Sequence, residues 1–147
     1  MSEIYDAATM RPSNSIGYLL NRVRAELLYA VDQALAPLDI TAAQYGIMAQ
    51  LAYNLADSAS GLCKGMAYDP GAMTRMIDRL EAKKFIRRVR SHEDRRAIGL
   101  ELTDAGRSAF PEMKGRVVAV LNRFLRGFTK SEARQFEEFL QRMLANA

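Results

Sequence analysis

The sequence predicts a mainly α-helical protein that breaks once, past its middle, into a small β-hairpin. Three observations carry that prediction. Apolar residues recur at three- and four-residue steps through most of the 147 residues. The recurrence gives way to alternation around residues 85–102. Thr41, Asp69, Thr103 and Thr129 stand where helix N-caps belong, each just ahead of an apolar-periodic stretch.

Taken in order, residues 1–12 read as a loose arm ending at Pro12. From Ser15 a long helix follows, with Ile16, Leu19, Leu20, Val23, Leu27, Ala30, Val31 and Leu35 on its apolar face, and Pro37 ends it. Thr41 and Gln44 make a capping box for a second helix. Its predicted buried stripe is Tyr45, Met48, Leu51, Ala52 and Leu55. Residues 57–68 carry Leu62, Cys63 and Met66 at helical spacing, but Gly61 and Gly65 lower the propensity, so this helix should be short. Asp69 caps a fourth helix, and Pro70 suits its first position. There Met73, Met76, Ile77 and Leu80 form a core face, leaving Thr74, Arg75, Asp78 and Arg79 outward.

Residues 85–90 and 97–102 then read as two strands, with Ile98, Leu100 and Leu102 on one face of the second. Thr103 caps the next helix, and Asp104 complements its positive end. Val117, Val118, Val120, Leu121, Phe124, Leu125 and Phe128 make an apolar surface too broad for one side of a surface helix. Thr129 and Glu132 form a second capping box, opening a last helix with Phe136, Phe139, Leu140 and Met143 on one side.

Composition narrows the chemistry. One cysteine, Cys63, and one histidine, His92, cannot close a zinc site within one chain. No nucleophile motif or glycine-rich phosphate loop is present, so an enzyme is not expected, nor any cofactor or metal. No apolar run approaches the ~20 residues of a membrane span. No secretory signal is legible at the N-terminus, which predicts a cytoplasmic protein without a membrane partner. The net charge is +4, yet residues 70–96 alone hold nine basic and four acidic side chains. A basic segment in an otherwise near-neutral chain points to a polyanion.

Two helices joined by a tight turn and followed by a hairpin is the winged helix-turn-helix layout. In it the second helix of the pair enters the major groove and the hairpin reaches beside it. Thr74 and Arg75 lie near the N-terminal end of that helix, where free amides favour phosphate and arginine can pair with guanine. Arg79, one turn on, is placed for phosphate. Lys83, Lys84, Arg87, Arg88 and Arg90 extend the positive surface.

The stretch "DPGAMTRMIDRLEAKKFIRRVRSHEDRRAIGLELTDAG" resembles the core of the MarR family of bacterial transcription regulators. The match rests on "GAMTRMIDRLE" and on the wing pattern Asp94-Arg95-Arg96 followed by Leu102-Thr103-Asp104-Ala105-Gly106. The helix order over about residues 13–145 also fits. The resemblance implies one domain over 1–147, with dimerisation helices at about 13–36 and 104–145 and a winged DNA-binding lobe at about 41–102. It implies a homodimer on a pseudo-palindromic double-stranded operator. It also implies repression relieved by a small effector, often an aromatic acid or phenol. DNA contacts carry over to Gly71, Thr74, Arg75, Arg79, Arg95 and Arg96, with Arg96 as the minor-groove arginine and Asp94 as support for the wing. Tyr18, Arg22 and Tyr45 are candidate effector-pocket residues, each with an equally simple reading as a packing or surface residue.

Dimerisation is also expected from the residues alone, because the last helices bear more apolar side chains than one small core needs. Two-fold pairing would set two recognition helices roughly 34 Å apart. Cys63, between Leu62 and Met66, is expected to be a buried, inert thiol rather than a redox sensor. His92 reads as a solvated loop residue, and the eight methionines as core fillers. The alternative function is a winged-helix protein–protein adaptor that does not bind DNA.

Overall fold

A computed structural model describes residues 2–90 and 98–147. Six helices, α1 (Ile16–Leu35), α2 (Ala42–Ala52), α3 (Ala59–Met66), α4 (Pro70–Ala82), α5 (Asp104–Phe124) and α6 (Lys130–Ala145), accompany strands β1 (Ile86–Arg90) and β2 (Ile98–Leu102). The strands form an antiparallel pair in the register Ile86 opposite Leu102 through Arg90 opposite Ile98. His92, Asp94, Arg95 and Arg96 lie outside the described residues.

The predicted caps form. The Thr41 hydroxyl accepts from the Gln44 amide at 3.1 Å, and the Gln44 side chain accepts from the Thr41 amide at 3.2 Å. Thr129 and Glu132 repeat this box at α6, and Asp69 accepts from the Ala72 amide at α4. Pro37 falls in a 3-10 turn, Ala36–Leu38, directly after α1. In the N-terminal arm, the Tyr5 hydroxyl accepts from the Ile16 amide at 2.8 Å and so satisfies one free donor of α1.

The core gathers where α2, α4, the hairpin and the facing halves of α1 and α5 meet. Leu35, Ile47, Met48, Leu62, Met73, Ile77, Leu80, Ile86 and Met113 are fully buried there. Each sits on the apolar side of its element, and burial at about 2 kcal/mol apiece is what holds these short elements together.

Leu55, predicted to be buried, and several other residues of the predicted apolar faces are outside it. Ile16, Leu19 and Val23 are exposed, because only the second half of α1 (Ala30, Val31, Leu35) packs on the core. Leu55 is 69% exposed: α2 stops at Ala52, and Asn54 takes a left-handed conformation that turns the chain away. Ile98 shares the inner face of β2 with Leu100 and Leu102, yet it is 58% exposed, since it lies outward along the hairpin beyond the core. In α6 no residue is buried. Phe136, Phe139 and Met143 face solvent, as do Val118, Leu121, Phe124 and Phe128 on and just after α5.

Two joints position the hairpin. At its base the Thr103 amide donates to the Phe85 carbonyl at 3.0 Å, and the Thr103 hydroxyl donates to the Lys84 carbonyl at 2.6 Å. The same hydroxyl accepts from the Gly106 amide at 3.0 Å. The backbones come so close that a Cβ at Gly106 would stand 2.2 Å from the Phe85 carbonyl oxygen. Further out, the Leu100 amide donates to the Asp57 carbonyl at 2.7 Å, and Ser58 bridges Gly99, so the chain before α3 adds a short third rung to β2.

Candidate nucleic-acid interface

Along α4 the buried positions Met73, Ile77 and Leu80 fix which side turns outward. At 3.6 residues per turn the opposite stripe is Gly71, Arg75, Asp78 and Ala82, and all four are exposed. Thr74 and Arg79 flank it on opposite sides. The Thr74 hydroxyl donates to the Pro70 carbonyl at 2.9 Å, which leaves its oxygen lone pairs facing outward. Thr74 also borders a groove of about 490 Å³ between α3 and α4, with Ala59, Ser60, Cys63, Lys64 and Pro70. Cys63 is thus only partly buried, against the expectation of an enclosed thiol: it packs on the core from the wall of that groove.

Gly71 has open space around its α-carbon. A Cβ there would meet nothing nearer than the Arg75 guanidinium at 3.7 Å. The packing of this chain therefore does not demand a glycine. Its bareness lets an outside backbone approach the first turn of α4, where free amides and the helix dipole favour an anion.

The basic surface is smaller than its composition suggested. Arg87 is paired with Glu101, Lys83 with the Asp39 carboxylate at 3.3 Å, and Arg88 with both Asp78 and Glu81. The hydrogen bond that Arg88 donates to Asp78 is the main reason the Arg88 pKa rises above its ordinary value. Among the described residues, Arg75, Arg79 and Lys84 make no ion pair. Arg79 also edges a cavity of about 640 Å³ with Asp32, Asp39, Thr41, Gln44 and Lys83, where the end of α1 and start of α2 meet the end of α4. Contacts from helix to strand, such as Arg88 to Asp78, leave no periodic trace in sequence, which is why they were missed.

Of the three candidate pocket residues, Tyr18 and Arg22 meet on α1, while Tyr45 packs elsewhere in the chain. Arg22 donates to the Tyr18 hydroxyl at 3.4 Å, which raises the Arg22 pKa, and both lie exposed on the outer half of α1. Tyr18 precedes Asp32 by about 21 Å of helix, and it is Asp32 that meets the start of α2, accepting from the Ala42 amide at 2.7 Å. Tyr45 instead stacks on Phe110 with ring centroids 5.6 Å apart, and burial pushes its phenol pKa up. Tyr53 meets the same Phe110 edge-on at 6.1 Å, and Lys114 sits over the Tyr53 ring at 5.0 Å. Lys114 also donates to the Tyr53 hydroxyl, which raises its own pKa.

An exposed recognition-type helix with a hairpin pinned beside it defines a winged helix-turn-helix protein. The MarR family model matches residues 40–98. The repressor MdtR of Bacillus subtilis is 32% identical over 121 residues, covering 82% of this chain and 76% of MdtR. The chain belongs to the MarR family and is a MarR-family transcriptional regulator. Among solved structures it is similar to CouR from Rhodococcus jostii RHA1 bound to p-coumaroyl-CoA (TM-score 0.82, 27% identity, 92% of this chain and 95% of that one). It is also similar to a MarR variant from E. coli complexed with operator DNA (TM-score 0.77, 28% identity, 88% and 93%).

Proposed function

We propose that the protein is a cytoplasmic homodimeric repressor that binds a pseudo-palindromic operator and is released by a small effector. The observation that carries the reading is the outward stripe of α4, where bare Gly71 and Arg75, which makes no ion pair among the described residues, face away from the core beside the hairpin. Gly71, Thr74 and Arg75 meet the major groove, Arg79 and Arg95 meet phosphates, and Arg96 enters the minor groove with Asp94 as its support. The operator-bound MarR relative supports this placement.

The exposed apolar surface of α1, α5 and α6 supports pairing with a second copy. The division of labour is then dimerisation over about 13–36 and 104–145, and DNA reading over about 41–102. The p-coumaroyl-CoA complex of CouR supports an aromatic acid or its thioester as the effector class. The effector acts by binding more tightly to a dimer geometry that misses the operator.

Fluorescence anisotropy with the DNA upstream of its own gene, at several salt concentrations, tests this reading. Arg96→Ala should weaken binding and flatten the salt dependence by about one phosphate's worth, with the fold intact. Arg75→Ala should lose more affinity on that DNA than on random duplex. Equal affinity of the parent protein for both duplexes would instead favour the adaptor reading.

A further inference from the structure

The hairpin needs a reason to hold one angle against α4. Only residues 83–85 separate α4 from β1. Ile86, Arg88 and Arg90 share one face of β1, opposite Leu102, Leu100 and Ile98. Ile86 is buried at the core end of that face. One step outward the same face carries an arginine, where a core-facing strand would ordinarily carry an apolar residue.

That arginine reaches back to the helix. Arg88 Nη2 lies 2.8 Å from Asp78 Oδ1, and Nη1 pairs with Glu81 Oε1. Asp78 and Glu81 are three residues apart and therefore neighbours on α4, so without a cation between them they repel. A planar guanidinium with one nitrogen on each carboxylate fixes direction as well as distance. The other edge of the hairpin, β2, is tied independently to Asp57. Asp78 itself lies on the outward stripe with Gly71 and Arg75, where an unpaired carboxylate would oppose phosphates.

We propose that Arg88 is a positioning residue for DNA recognition: by holding Asp78 and Glu81 together, it sets the angle between the hairpin and the recognition helix. The inference rests on α4 being the DNA-reading helix. The wing and α4 then address the duplex as one body, and the pair of carboxylates serves as the socket on the helix side.

The test uses the sign of a charge change. The parent protein enriches duplexes from a random-sequence library. Dissociation constants for an enriched duplex and a scrambled one are measured for the parent, Asp78→Asn, Glu81→Gln and Arg88→Lys, with thermal melts confirming the fold. Removing a negative charge beside DNA should tighten binding through bulk electrostatics. Positioning gives the opposite sign. Asp78→Asn should bind the enriched duplex about tenfold more weakly, the size of one lost base contact, and the scrambled duplex no more weakly than the parent does. Glu81→Gln, off the outward stripe, should follow in direction. Arg88→Lys keeps the charge but not the fork, and should lose the same preference. Enriched-duplex binding at or above the parent's in Asp78→Asn and Arg88→Lys overturns the proposal. So does an equal loss on both duplexes, which would make Arg88 a phosphate contact. A change of preference at one base pair in Asp78→Asn alone, with Arg88→Lys silent, also overturns it, because Asp78 would then read a base directly. If the parent enriches no duplex, the DNA-reading role of α4 fails first, and this proposal falls with it.

Discussion

The lobe formed by α2, α3, α4 and the hairpin and the last helix, α6, start from similar sequence and end differently. Both carry apolar residues at helical spacing, and both open on a Thr capping box, at α2 and at α6. In the lobe those residues vanish from solvent: Ile47, Met48, Leu62, Met73, Ile77 and Leu80 are all buried. In α6 nothing does, and Phe139 remains 47% exposed. Helical periodicity states that a face is apolar. It does not state what covers that face. The lobe is covered from within the chain, by the facing halves of α1 and α5 as well as by its own elements, whereas α6 presents an apolar surface that one chain leaves open.

Three substitutions break or sharpen this contrast. The largest effect belongs to the closed region. Gly106→Ala drives a Cβ into the Phe85 carbonyl, backbone against backbone, and should cost about 3 kcal/mol or more in urea unfolding. An unchanged midpoint would mean that the joint opens freely. Next, if two copies pair through this surface as proposed, Phe139→Asp should leave the lobe folded but shift the protein from dimer to monomer in sedimentation velocity. A buried aromatic anchor of an interface is worth about 2 kcal/mol or more. A variant that sediments like the parent places the partner surface elsewhere. The smallest is Thr129→Ala, which removes the α6 cap for about 1 kcal/mol. That loss registers in global unfolding only if α6 melts with the rest, and an unaltered melt marks α6 as uncoupled.

Much of this was readable beforehand, and the failures have physical causes. Caps are local, so Thr41, Asp69, Thr103 and Thr129 announced four helix starts correctly. The winged layout followed from their order and from the alternation in β2. Leu55 fits the stripe of α2 but lies beyond Asn54, a left-handed residue of the kind that commonly stops a helix. Ile16, Leu19 and Val23, like the apolar side of α6, keep the helical pattern while the described part of the chain supplies no cover for them. Along α4, the outward placement of Thr74 and Arg75 was legible from their position on the helix, while Gly71 followed only from the family resemblance. The neutralisation of Lys83, Arg87 and Arg88 was not, because their partners come from other elements: Asp39 before α2, Glu101 on β2, and Asp78 and Glu81 on α4.

Thr103 has a consequence at the far end of the molecule. Its amide and its hydroxyl bind the turn before β1, and the same hydroxyl takes a free amide in the first turn of α5, that of Gly106, which leaves no gap between the two backbones. There is no slack at this hinge point. α5 runs about 31 Å from there, with Pro111 in its first half, and joins the root of the hairpin to the unburied apolar surface. A tilt of about 5° about its middle moves each end by about 1.4 Å. A partner that tilted α5 from the open surface would therefore move the base of the wing by ångströms.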